Sequence, residues 1–140
     1  MDTHHLVCTH CGVTNRIPAA RLGHDPVCGR CQHELLDGRP LTLTDANAEA
    51  VLAGTTLPVL VDFWAPWCGP CQQMAPQFEA AARQLKGRAL LVKVDSDQNP
   101  QLSRRFGIRS IPTLVRLERG RELRRQSGAV PAAQIVALLD

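Results

Sequence analysis

The sequence predicts an α/β protein, a mixed central sheet flanked by helices on both faces and preceded by a small metal-stapled head. Three observations carry that expectation. Apolar runs of strand length, Leu57–Trp64 and Ala89–Asp95, alternate with helix-forming segments, as in sheets covered on both sides. All six cysteines fall into Cys-x-x-Cys pairs: Cys8/Cys11, Cys28/Cys31 and Cys68/Cys71. All five histidines lie before residue 38, in a segment short of large apolar side chains.

The turn residues Asp37-Gly38-Arg39-Pro40 divide a head, 1–38, from a body, 39–140. The head's apolar complement is Leu6, Val7, Val13, Ile17, Leu22, Val27, Leu35 and Leu36. So little burial does not offset the chain entropy of such a segment unless something staples it.

In the body, Leu41-Thr42-Leu43 reads as a short strand, and Thr44 or Asp45 caps a helix through Leu52. Leu57–Trp64 is a strand buried on both faces. A helix follows from about Cys68 to Leu85, bent at Pro76 because proline removes a hydrogen bond and crowds the preceding turn. Ala89–Asp95 is a second buried strand, and Gln98–Phe106 a short helix. Pro112–Glu118 and Arg121–Ser127 form a hairpin about Gly120, and Val130–Leu139 closes with a helix.

Composition excludes several classes. With 44% hydrophobic and 21% charged residues, the 140-residue chain suits a folded domain and not disorder. No apolar run is long enough to cross a membrane. Met1–Leu6 has neither a basic nor an apolar signal region, so a cytoplasmic protein with reduced thiols is expected. A net charge of +3 and a head that is not basic argue against a nucleic-acid partner. The eight arginines between Arg104 and Arg125 read as the solvated side of strands and turns. A framework of three structural disulfides fits the uniform spacing less well than metal binding combined with redox chemistry.

Trp67-Cys68-Gly69-Pro70-Cys71 lies where a strand gives way to a helix. A thiol attacks a disulfide only as thiolate, and a helix N-terminus favours the anion, lowering such pKa values from about 8.5 to roughly 3.5–7.5. Cys68 is placed for attack, and Cys71, one turn further in, for resolving the mixed disulfide. Pro70 stiffens the link between them. Asp62, inside an apolar strand, should have a raised pKa and serve as proton acceptor for Cys71.

These motifs, with Asp62–Pro66, Pro76, Lys93, Asp95, Ile111-Pro112-Thr113 and Gly128, resemble the thioredoxin family across about residues 41–140. The resemblance implies the thioredoxin fold and protein-disulfide reduction, with Cys68 as nucleophile, Cys71 as resolving thiol, and a redox-active Cys68–Cys71 disulfide. It implies that Asp62 and Lys93 tune proton transfer and that Ile111–Pro112 is a cis bond against the site. Substrate contacts would come from Trp67, Gly69, Pro70, Ile111, Pro112 and Gly128. Implied partners are NADPH-dependent thioredoxin reductase and disulfide substrates of the ribonucleotide reductase, peroxiredoxin and methionine sulfoxide reductase kinds. Gln72 departs from the basic residue frequent at that position in the family and bears on partner preference.

In the head, Cys8/Cys11 and Cys28/Cys31 are sixteen residues apart, the spacing of a four-cysteine zinc site on two tight turns. Gly12 and Gly29, each next to a ligand, suit those turns. One structural Zn²⁺ per chain is expected, and with four thiolates His10 and His33 are not needed as ligands. Such a head before this body resembles the thioredoxin 2 type, with the metal serving stability or redox regulation. A monomer is the default expectation.

Overall fold

The head is built on a hairpin that its polar sequence did not announce. In the computed structural model, which describes residues 2–140, β1 (Thr3–Val7) pairs antiparallel with β2 (Thr14–Pro18). The first cysteine pair occupies the connection between them. One 3-10 turn, Ala19–Arg21, follows, and residues 22–40 run on without further strands or helices.

The body then reads β3 (Leu41–Thr42), α1 (Ala48–Gly54), β4 (Val59–Trp64), α2 (Gly69–Gln84), β5 (Leu90–Asp95), α3 (Pro100–Arg105), β6 (Thr113–Glu118), β7 (Arg121–Ser127) and α4 (Ala132–Ala137). This is the expected order, with most elements one to three residues shorter at an end. The sheet runs β3-β5-β4-β6-β7, with β3, β4 and β5 parallel and β6 and β7 antiparallel to their neighbours. Helix α2 continues through Pro76.

Side chains alternate across β4, so Val59, Val61 and Phe63 join one core while Leu60 joins the other. The first core includes Val51 and Leu52 of α1 with Leu102 of α3; the second includes Met74 and Phe78 of α2 with Ile135 of α4. The thioredoxin fold expected from the sequence is therefore present, with β4 at its centre.

The head does not stand apart. Leu6, Val7, Cys8, Leu22, Cys28, Leu35 and Leu36 belong to the same apolar cluster as Val51, Leu52 and Val59. Two hydrogen bonds sew the seam: the Thr56 N–H donates to the His5 carbonyl at 2.9 Å, and the His5 N–H donates to the Thr56 side-chain Oγ1 at 3.0 Å. A β-carbon on Gly54 would lie 2.6 Å from Val7 Cγ2, so only glycine permits this approach.

Of the two caps expected for α1, Thr44 serves, its carbonyl accepting from the Ala48 N–H at 2.9 Å, and only Asp45 requires correction. Thr44 and Asn47 bind each other's backbone N–H groups at 2.8 and 3.3 Å ahead of α1. Asp45 instead caps α3, its carboxylate accepting from the N–H groups of Gln101 at 3.1 Å and Leu102 at 2.9 Å.

Candidate redox and metal sites

Strand β4 ends at Trp64, and the chain turns through Ala65–Trp67 into α2. Cys68 takes the N-cap position, with Pro70 in the first turn, where a missing N–H costs nothing. The Cys71 N–H donates to Cys68 Sγ at 3.2 Å, the contact that stabilises negative charge on that sulfur when the pair is reduced. Cys68 and Cys71 are joined as a disulfide, and both are buried.

Around this pair lies a partly exposed surface. Trp67 is 70% exposed, and its indole N–H donates to Asp97 Oδ2 at 2.6 Å. Cys68 Sγ lies 3.7 Å from the Ile111 carbonyl oxygen. The Ile111–Pro112 bond is cis, and the Pro112 carbonyl accepts from the Gly128 N–H at 2.9 Å. Beside the disulfide lies a groove of about 220 Å³ lined by Trp67, Ile108, Arg109, Ser110 and Ile111 among others. The structure thus brings Trp67, Cys68, Ile111, Pro112 and Gly128 to one end of the sheet. Gln72 donates from Nε2 to the Pro66 carbonyl at 2.8 Å, which ties it to the loop before the motif.

Asp62 is 1% exposed, and its Oδ1 has no hydrogen-bond partner. Strand alternation puts it on the face of Leu60, the side covered by α2. Burial pushes its carboxyl up to about 7, against the opposing charge of Lys93. Lys93 is its direct neighbour on β5, and the Lys93 ammonium lies 4.4 Å from the Trp64 ring centroid.

The second site is the cysteine cluster of the head. The four Sγ atoms of Cys8, Cys11, Cys28 and Cys31 all lie within 4.8 Å of one another. Cys8–Cys31 and Cys11–Cys28 are each 3.6 Å apart, against about 3.8 Å for the edge of a zinc–thiolate tetrahedron with 2.3 Å bonds. The two pairs repeat one design. The N–H groups of His10 and Arg30 donate to Cys8 and Cys28 sulfurs at 3.4 Å, and those of Gly12 and Gln32 donate to the Cys8 and Cys28 carbonyls at 2.9 Å.

The left-handed residues of these turns are Gly12 and Gln32, at φ 79° and 68°. Gly29, expected from the sequence to serve this purpose, does not. Asn15, also unforeseen, accepts from the Gly29 N–H at 2.9 Å and so braces the second turn.

The donor chemistry also fits a cation. The Cys31 N–H, against the opposing effect of burial, brings the Cys28 thiol down to about 6. Cys31 is pushed up to about 12, since burial and its three sulfur neighbours outweigh the His33 N–H that favours its thiolate. Four thiols this close resist joint ionisation, and a divalent ion removes that conflict. His33 Nδ1 approaches Cys31 Sγ at 3.3 Å, and its ring stacks on His10 with centroids 3.8 Å apart. Both imidazoles thus stand beside the sulfur cluster.

Comparisons with known proteins cover both sites. The family model described as Thioredoxin matches residues 39–140. The one described as Thioredoxin 2, N-terminal, a zinc ribbon, matches residues 7–33. Thioredoxin C-3 of Corynebacterium nephridii is 42% identical over 135 residues, which cover 96% of this chain and 92% of that protein. Thioredoxin 1 of a Nostoc species is 43% identical over 98 residues, 70% of this chain and 92% of that one. Chloroplastic thioredoxin z superposes with a TM-score of 0.65 at 35% identity, covering 72% of this chain and 91% of its own. A thioredoxin variant from Halobacterium salinarum also gives 0.65, at 32% identity, covering 72% and 88%.

Proposed function

The chain belongs to the thioredoxin family and is a thiol–disulfide oxidoreductase, and we propose that it works as a protein-disulfide reductase. The observation that carries this reading is a buried carboxyl, Asp62, whose pKa near 7 makes it a proton acceptor close to neutrality, on the sheet face covered by the cysteine-bearing helix.

In the proposed cycle the Cys68 thiolate attacks a substrate disulfide, and one substrate sulfur leaves and takes up a proton. Asp62 then accepts the Cys71 proton, with Lys93 tuning that transfer. Cys71 attacks Cys68 Sγ, the Cys68–Cys71 bond forms, and the second substrate thiolate departs. Two electrons from NADPH, delivered by thioredoxin reductase, restore the dithiol.

Trp67, Gly69, Pro70, Ile111, Pro112 and Gly128 make the substrate surface, on which an extended segment pairs with the Ile111 backbone. Cys8, Cys11, Cys28 and Cys31 hold one structural zinc, which closes the head as a folding staple and redox-sensitive element. We retain residues 1–38 and 39–140 as the metal-binding and redox units, and a cytoplasmic monomer as the working form. No helix among the described residues is long and apolar enough to cross a membrane.

The test is the reduction potential of Cys68–Cys71 in glutathione buffers, followed by tryptophan fluorescence. A value toward about −270 mV, characteristic of thioredoxins, supports electron donation, whereas one above about −180 mV reverses the assigned direction. Cys68→Ser should abolish turnover with the fold intact, and Cys71→Ser should accumulate mixed disulfides.

A further inference from the structure

Arg119 and Gly120 alone form the loop between β6 and β7, because Glu118 pairs directly with Arg121. Both have positive φ, 50° and 82°, as a type I′ hairpin turn demands. Asn or Gly suits the first of these positions, and a long side chain there crowds the backbone. The chain keeps an exposed arginine in a conformation it disfavours, which points to a use for the guanidinium.

Two concavities meet at Arg119. One, of about 530 Å³, is lined by Asp2, Thr3, His4, His5 and Thr56 as well. The other, of about 400 Å³, adds Glu49, Ala53, Arg105, Gly120 and Arg121. Arg105 Nη2 lies 3.6 Å from where a Gly120 side chain would begin, so it reaches the hairpin tip. Among the described residues, the ion-paired cations are Arg39, Lys86, Arg116 and Arg125. Arg105, Arg119 and Arg121 thus carry no ion pair, neither Asp2 nor Glu49 comes within ion-pair distance of them, and the Arg105 guanidinium lies over the Phe106 ring at 5.1 Å with its hydrogen-bonding edge still available to a ligand.

We propose that this hairpin tip is a docking surface for an acidic segment of a partner protein, with Arg105, Arg119 and Arg121 binding its carboxylates. Guanidinium forks match carboxylates two bonds at a time. Proteins that hold a single nucleic-acid strand combine such cations with aromatic platforms on which bases stack. The chain has no tyrosine, and its exposed tryptophan, Trp67, stands beside the disulfide at the other end of β6. Pro112, just before β6, and Arg119, just after it, are roughly 20 Å apart at about 3.3 Å per residue. A partner held by the tip leaves the redox face clear, so the tip raises the local concentration of that partner's disulfide.

The test uses the full chain and a fluorescein-labelled glutamate-rich peptide of about 12 residues, read by anisotropy at low and high salt. The triple variant Arg105→Ser, Arg119→Asn, Arg121→Thr should bind about tenfold more weakly, and Arg119→Asn alone about threefold. Arg119→Asn should also raise the thermal midpoint, since Asn suits the turn, so loss of binding and loss of fold separate cleanly. Replacing Arg21, Arg83 and Arg88 by Ser removes the same charge elsewhere and should leave affinity nearly unchanged. Equal weakening by both triples reduces the effect to net charge and overturns the proposal. So does binding of a single-stranded oligonucleotide in place of the peptide, or absence of peptide binding at low salt.

Discussion

Asp62 and Lys93 stand directly opposite one another on neighbouring parallel strands, yet no ion pair joins them among the described residues. The lysine head lies over Trp64, and the carboxyl is left to its burial. A carboxyl placed this way trades stability for a proton affinity near neutrality.

That trade has a sign. The folded carboxyl, at about 7, holds its proton more tightly than the ordinary 3.8 of an unfolded chain. Between these values the native state binds more protons than the unfolded state, so the contribution to stability is full below about pH 4 and is lost as pH rises through about 7. Its size is roughly 4 kcal/mol. Urea titrations across pH should show this fall in the wild type and its absence in Asp62→Asn, which should be the more stable protein at pH 8. Parallel profiles for the two would refute the assignment.

One zinc ion per chain should co-purify, measurable by elemental analysis. Its removal by a chelator should strip amide protection from β1, β2 and the Leu35–Leu36 segment and lower the midpoint of a single melting transition. Two resolved transitions would contradict the shared core, whose members come from both sides of residue 38.

Asp45→Ala should cost about 1 kcal/mol, because it frees two N–H groups at the start of a helix more than fifty residues away. Denaturant midpoints measure this, and Asp45→Asn should recover most of it. An unchanged midpoint for Asp45→Ala would show that water replaces the cap.

Gly54→Ala should destabilise by roughly 1–3 kcal/mol through its collision with Val7. Val7→Ala in the same chain should return part of that loss. A double-mutant cycle reads the coupling, and strict additivity would mean the two residues do not meet.

The order of the body's elements was legible because its strands are unbroken apolar runs bounded by turn residues. The redox pair was legible for a related reason, since only Cys68/Cys71 sits at a strand-to-helix junction. β1 and β2 were not legible. Thr3-His4-His5 and Thr14-Asn15-Arg16 are polar, and the outer edge of β1 is held in part by Thr55 and Thr56, far along the chain. Asp45 was assigned to the nearer helix because capping rules are local, whereas its true partner depends on tertiary contact. Gln32 lay outside the expectation that glycine takes every left-handed turn. In the head the sequence suggested dependence on metal alone, but its leucines also lean on the body.

The Gly54–Val7 contact has a consequence for the chain's modularity. A chain shortened to begin at Pro40 would keep every redox residue but expose a bare apolar flank over Val51, Leu52 and Leu57, the cluster that the head completes. Such a flank invites self-association. The two halves therefore cannot be exchanged as interchangeable cassettes: a foreign head would have to reproduce the imprint of Val7 against a helix that ends in glycine.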